Sequence, residues 1–145
     1  MHISLQDIDQ SNYEPVCELD VTKAQEDYVA CNMWSLVESH YNSSHTCKAI
    51  YCDNAPVGFF MWVQESASKI SIWRFMIDKN HQNKGIGRVA LAQAINASKD
   101  TANLKEIEIC YNPMNPVAKD FYSSFGFEEV GMDEDGEDML ARITL

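Results

Sequence analysis

Asp78-Lys79-Asn80-His81-Gln82-Asn83-Lys84-Gly85-Ile86-Gly87-Arg88 follows an apolar run, Ile70 to Ile77. It leads into residues 85 to 98, where Val89, Ala90, Ala94 and Ile95 fall on one side at helical spacing. The reading is strand, glycine loop, amphipathic helix. Two glycines at the start of a helix free the backbone to turn several N–H groups inward. The first helical turn adds unpaired donors and the positive end of its dipole, so the natural ligand is a phosphate. Lys84 and Arg88 add positive charge. No Gly, four residues, Gly-Lys-Ser/Thr string occurs, which excludes a P-loop. Gly85-Ile86-Gly87-Arg88-Val89-Ala90 satisfies the dinucleotide fingerprint, but Asp78 to Lys84 separate it from its strand and a hairpin lies upstream, so the Rossmann context is missing. The remaining pattern is Gln/Arg-x-x-Gly-x-Gly/Ala, a pyrophosphate-binding loop, present as Gln82-Asn83-Lys84-Gly85-Ile86-Gly87.

Outward from this unit, residues 2 to 8 alternate as a half-buried strand, and residues 11 to 41 carry helical spacing that predicts two helices. Ala49-Ile50-Tyr51-Cys52 and Val57 to Val63 flank the turn-rich Asp53-Asn54-Ala55-Pro56, a hairpin signal. Downstream, residues 106 to 111 read as a strand, Asn115 to Phe125 as a helix and Phe127 to Val130 as a strand. Met139 to Leu145 pairs back across Asp135-Gly136. The predicted order is β, two helices, three strands, helix, strand, helix, two strands. That order makes an α/β (α+β) fold with a mixed sheet, in a single domain spanning 1–145.

At 145 residues, 46% hydrophobic and 10% aromatic, the chain has enough apolar material for one core. Eleven Lys and Arg against 22 Asp and Glu give a formal charge of −11, which repels phosphate backbones and anionic lipid. Nucleic acid and membrane are therefore excluded as expected partners, whereas a cationic small molecule or basic peptide suits the field. Cys17, Cys31, Cys47, Cys52 and Cys110 are odd in number and scattered, as reduced, packed thiols are. The start has no basic segment followed by an apolar run, so the expected location is cytoplasmic. His40, His45 and Cys47 lack a fourth partner at a usual spacing, and no metal is expected. His81 reads as a solvated loop residue. Asp133-Glu134-Asp135-Gly136-Glu137-Asp138 reads as a solvated turn or, alternatively, as a rim that attracts cations.

Gln82 to Gly87 resembles the acetyl-coenzyme A loop of the GCN5-related N-acetyltransferases (GNAT). Asn115-Pro116-Val117-Ala118-Lys119-Asp120-Phe121-Tyr122-Ser123-Ser124-Phe125-Gly126-Phe127 is similar to that family's later motif, Asn-x-x-Ala-x-x-x-Tyr-x-x-x-Gly-Phe. Phe75-Met76-Ile77-Asp78 stands where its fourth strand ends. Within the family, Gln25 to Ala30, Phe75 to Asp78 and the acidic hairpin look similar to bacterial spermine/spermidine acetyltransferases. The resemblance implies a mixed, mostly antiparallel sheet of about seven strands flanked by about four helices. It also implies acetyl-CoA as acetyl donor, a small-molecule amine as acceptor, possession of no metal, and a homodimer.

The resemblance further implies site roles. Gln82, Asn83, Lys84, Gly85, Ile86, Gly87 and Arg88 would hold the diphosphate, and Phe75, Met76 and Ile77 the pantetheine and acetyl units, with the Met76 N–H as oxyanion donor. Asn115 and Lys119 would contact the coenzyme, and Glu26 and Asp27 border the acceptor site. On spacing alone Tyr122 either packs beside Phe121 and Phe125 or acts in catalysis; the family match makes it the general acid. A phenol of pKa about 10 is protonated at neutral pH and can donate to a departing thiolate. The resembling polyamine enzymes carry a carboxylate on the fourth strand where this chain has Trp73-Arg74. Neither side chain accepts a proton from an ammonium, and Glu26, Asp27 and Glu38 are the remaining carboxylates nearby. The expected reaction is direct attack by a primary amine in a ternary complex. A protein amino group as acceptor, or a non-catalytic acyl-CoA sensor, are the alternatives.

Overall fold

The computed structural model describes all residues from Met1 to Leu145. Seven strands form one sheet: β1 (Ile3–Asp7), β2 (His45–Cys52), β3 (Ala55–Ser66), β4 (Lys69–Ile77), β5 (Glu106–Tyr111), β6 (Glu128–Met132) and β7 (Met139–Thr144). The order across the sheet is β1-β2-β3-β4-β5-β7-β6, with β4–β5 the one parallel pair. Helices α1 (Tyr13–Glu18), α2 (Asn32–His40), α3 (Ile86–Ser98) and α4 (Ala118–Ser123) complete the predicted order. The α3 crossover between β4 and β5 is what a parallel pair requires.

The sheet is covered on both faces. Ile50, Val57 and Phe60 pack with Ile86, Ala90 and Ala94 of α3, and Ile72, Ile107 and Ile109 pack with Leu91 and Ile95 of the same helix. On the opposite face Ala49, Phe59, Met61 and Met76 pack with Val16 of α1, and Leu36 of α2 closes over them. Phe59 and Phe60, adjacent on β3 and both fully buried, serve opposite faces, each burial contributing roughly 1.5–3 kcal/mol.

Two helical expectations shrink. Residues 19–31 are mostly turns, with Gln25 N–H donating to Thr22 and Tyr28 N–H to Gln25 at i→i−3 spacing. Tertiary ties draw this segment off a helix. The Asp20 N–H donates to Asp78 Oδ1 at 3.0 Å, Lys79 N–H donates to the Asp20 carbonyl at 2.7 Å, and the amides of Gln25 and Gln82 pair reciprocally at 2.8 and 3.3 Å. Helix α4 begins at Ala118 rather than Asn115, because a residue ahead of proline, here Pro116, is pushed toward extended backbone.

Asp78 is the knot of these ties. Burial alone raises its carboxyl, but the N–H groups of Asp20 and Asn80 and the His81 ring outweigh it and hold the pKa below the usual value. A group depressed in the folded state contributes stability above its unfolded pKa, near about 3.9, which is lost as pH falls through the lower folded value. Asp78→Ala is expected to cost about 1–3 kcal/mol at neutral pH through stranded N–H donors. Its denaturant curves should also lose part of the wild type's acid dependence below about pH 4.

Below the loop, Glu108 of β5 is 5% exposed and meets Lys69 of β4 at 3.2 Å and Arg142 of β7 at 2.6 Å. This ionic cluster joins three adjacent strands, β4, β5 and β7, at one end. No helix is long and apolar enough to cross a membrane.

Candidate active site

β4 and β5 pair from Lys69↔Glu106 to Ile72↔Ile109 and then part. The parting has a local cause. Across β3, Trp62 faces Ile72 and Met61 faces Arg74, so Trp73 is an extra residue, a β-bulge. Met61 belongs to the α1–α2 face, so its partner Arg74 points there too, and Trp73 packs against the same cluster. Two consecutive side chains thus share one face, and β4 swings away from β5. Into the gap runs a cavity of about 700 Å³ that extends to the glycine loop.

Backbone alternation decides which β4 groups face the gap. Asp78 N–H donates to the Val57 carbonyl of β3 at 2.7 Å, and the register through Gly58↔Ile77 and Phe59↔Met76 is unbroken. In an antiparallel pair alternate residues turn both N–H and C=O to the partner, so Met76, like Asp78, is directed at β3. The expected role of the Met76 N–H is corrected accordingly: the sheet consumes that donor. Phe75 and Ile77 face the gap instead, and the Ile77 carbonyl accepts from Gln82 Nε2 at 2.9 Å, on the side away from β3. Period-two reading of β4 could have found this, had one hydrogen bond fixed its phase. Gly58 makes the close approach possible, since a Cβ there would lie 2.6 Å from the Met76 carbonyl oxygen.

The loop is built for an anion. Asn83 at φ 62 and Gly85 at φ 81 adopt left-handed backbone, folding the chain into a concavity. No backbone N–H from Gln82 to Arg88 donates to an acceptor in the protein. A run of free donors at a helix N-terminus matches the demand of a diphosphate. Arg88 lies in the first turn of α3, where a cation opposes the dipole, and Phe121 and Phe125 hold its guanidinium at 5.5 and 5.0 Å from their ring centres.

Of the expected residues, Glu26, Asp27, Phe75, Met76, Ile77, Gln82, Asn83, Gly85, Ile86, Gly87, Arg88, Asn115 and Tyr122 share the cavity wall. Lys84 and Lys119 do not line it. Lys84 points to solvent, and Lys119 Nζ lies 3.9 Å from Glu129 Oε1, beside a smaller depression behind Tyr122. Cys110 lines the main cavity as well, and Gln25 and Asp138 do so without having been named as site residues. Gln25 acts through its pairing with Gln82.

Tyr122 stacks on Tyr111, ring centres 5.7 Å apart, and Tyr111 is anchored by its hydroxyl donating to Glu129 at 2.8 Å. Burial, then that carboxylate, pushes Tyr111 up to about 12. Tyr122's own pKa is raised chiefly by burial, with Cys110 and Tyr111 adding to it, so the phenol is neutral and able to donate. Cys110, pushed up to about 11 by burial and then by Asp138, stays a thiol at neutral pH. Arg74 meets Glu38 at 3.6 Å, while its Nε and Glu38 Oε1 lack hydrogen-bond partners, so charge alone joins them.

The Acetyltransferase (GNAT) family model matches residues 5–127. A spermine/spermidine N(1)-acetyltransferase of Bacillus subtilis (strain 168) is 25% identical over 150 residues, covering 98% of this chain and 99% of the relative. Among solved structures, PaiA N-acetyltransferase from Thermoplasma acidophilum, in complex with coenzyme A, superposes with a TM-score of 0.77 at 18% identity, covering 100% of both chains. Spermidine N-acetyltransferase from Vibrio cholerae, in complex with CoA and spermine, gives 0.77 at 17% identity, covering 98% of this chain and 95% of that one. The overall fold is thus a shared one, and with most of its length under that family's model the chain belongs to the acetyltransferase (GNAT) family and is an N-acetyltransferase.

Proposed function

We propose that the protein transfers the acetyl group of acetyl-CoA directly to a primary amine of a small molecule, an alkyl polyamine being the favoured class. The observation that carries this reading is the continuity of one cavity from the free N–H groups of the loop, past the gap-facing N–H groups of Phe75 and Ile77, to carboxylates on the far side. Acetyl-CoA supplies a thioester whose carbonyl carbon bonds to the amine nitrogen as the C–S bond breaks. The loop N–H groups and Arg88 bind its diphosphate. Ile77 continues the sheet pattern toward the pantetheine, and the Phe75 N–H donates to the oxygen as it gains negative charge. Tyr122 donates its proton toward the departing sulfur, and the proton that the acylated nitrogen sheds passes to solvent, from which the phenolate regains one. Supporting the polyamine class are the net charge of −11 and the names of the relatives above.

The test is release of coenzyme A thiol from acetyl-CoA with spermidine, spermine, mono-alkyl amines and lysine peptides. Turnover with a polyamine is expected. Binding of CoA without turnover on any amine would select the sensor reading, and turnover on peptides alone would select a protein acceptor. Arg88→Ala is expected to raise the calorimetric Kd for CoA by about tenfold, equal to about 1.4 kcal/mol, and to leave the chain folded because Arg88 packs on the protein surface of two rings.

A further inference from the structure

β4 carries no carboxylate at the gap, yet the cavity has one from the turn just before β7. Register places Tyr111 opposite Met139 and Cys110 opposite Leu140. Tyr111 belongs to the α3–α4 face with Tyr122, so Met139 does as well; Asp138, in the bend just before β7, couples by charge to Cys110 and Arg74, which lie on the opposite face. That is the α1–α2 face, reached from across the gap by Glu26 and Asp27. Among the acidic residues 133–138, Asp138 alone lines the cavity; Glu134, Asp135 and Glu137 are exposed. The hairpin also fixes its backbone, because the Asp138 carbonyl accepts from the Asp133 N–H at 2.8 Å.

We propose that the Asp138 carboxylate binds the cationic nitrogen of the amine acceptor, supplying from the turn just before β7 the acidic group that β4 lacks. This rests on the amine reading above. The local charge supports it. Glu38 and Asp138 are two carboxylates around the single cation Arg74, and Cys110 is neutral, so the surroundings keep a net negative charge for an incoming ammonium. Asp138 is raised from its usual pKa by burial, then by Asp133, with Arg74 opposing, which describes a carboxylate short of positive partners. Arg74 pairs with Glu38 and only partly offsets Asp138, which keeps negative charge for the substrate.

The experiment measures spermidine binding by calorimetry to protein saturated with CoA, together with KM values. Asp138→Asn is expected to raise the spermidine Kd and KM at least tenfold and to leave the CoA Kd unchanged. Asp135→Asn removes the same formal charge from an exposed site in the same hairpin and is expected to bind spermidine as wild type does. Unchanged spermidine binding in Asp138→Asn overturns the proposal, and so does an equal loss in Asp135→Asn, which would reveal only the general field. If Asp138→Asn fails to bind CoA, Asp138→Ala replaces it with the same expectation. Failure of the amine reading shows differently, since wild type would then neither bind nor turn over any alkyl amine offered.

Discussion

Tyr122→Phe is expected to lower kcat by about 10²–10⁴ with the Kd for CoA unchanged, as removal of a positioned general acid does. Phenylalanine keeps the stack on Tyr111 and the edge contacts to Phe121 and Phe127, so the variant differs by one oxygen in a preserved packing. That oxygen has no acceptor within the protein, so its loss strands no partner and stability should move little. A phenol of pKa about 10 is already a weaker acid than a thiol of about 8.5, and burial raises Tyr122 further, so the proton passes late, as the C–S bond opens and charge collects on sulfur. The wild-type rate should therefore not fall on its alkaline side until well above neutrality. The measurement is kcat by thiol release, with calorimetry of CoA on both proteins. A kcat within twofold of wild type would remove Tyr122 from the mechanism and return it to packing.

Gly58→Val is expected to destabilise the fold by about 3 kcal/mol, the upper part of the range for an overfilled core. The added Cβ would sit 2.6 Å from the Met76 carbonyl oxygen, 2.9 Å from Ile77 Cδ1 and 3.1 Å from Ile50 Cδ1. The first is backbone and cannot swing aside, so β4 must shift. The shift carries Phe75 and Ile77 with it, so residual enzyme should show a raised KM for acetyl-CoA. Denaturant unfolding checks the first claim as a fall in midpoint at constant slope. Gly85→Ala makes a useful contrast. Nothing lies within 4 Å of its added Cβ, but at φ 81 it meets left-handed strain of about 1–2 kcal/mol.

The central strands were legible because apolar runs and turn residues agreed, and residues 106–111 match β5 end to end. The loop was legible because glycine and charge sit at fixed offsets. The stretch 19–31 was not, since Asp20 and Gln25 are shaped by partners some 57 residues away that no local period announces. Met76 was misread for a related reason. Side-chain alternation shows which residues share a face, but the direction of the N–H groups depends on which neighbouring strand is bonded first. Asp138 was hidden among five carboxylates of one turn, and only its place in the cavity wall beside Cys110 separates it from the rest.

The triad of buried Glu108 with half-buried Lys69 and partly exposed Arg142 has a mechanical meaning. It rivets the closed end of a pair of tongs whose jaws are the outer halves of β4 and β5. At molar salt, where charges in water lose sight of each other beyond about 3 Å, a rivet centred on the buried Glu108 is spared part of that screening. Brine would therefore weaken the grip on charged cargo while the jaws kept their spacing.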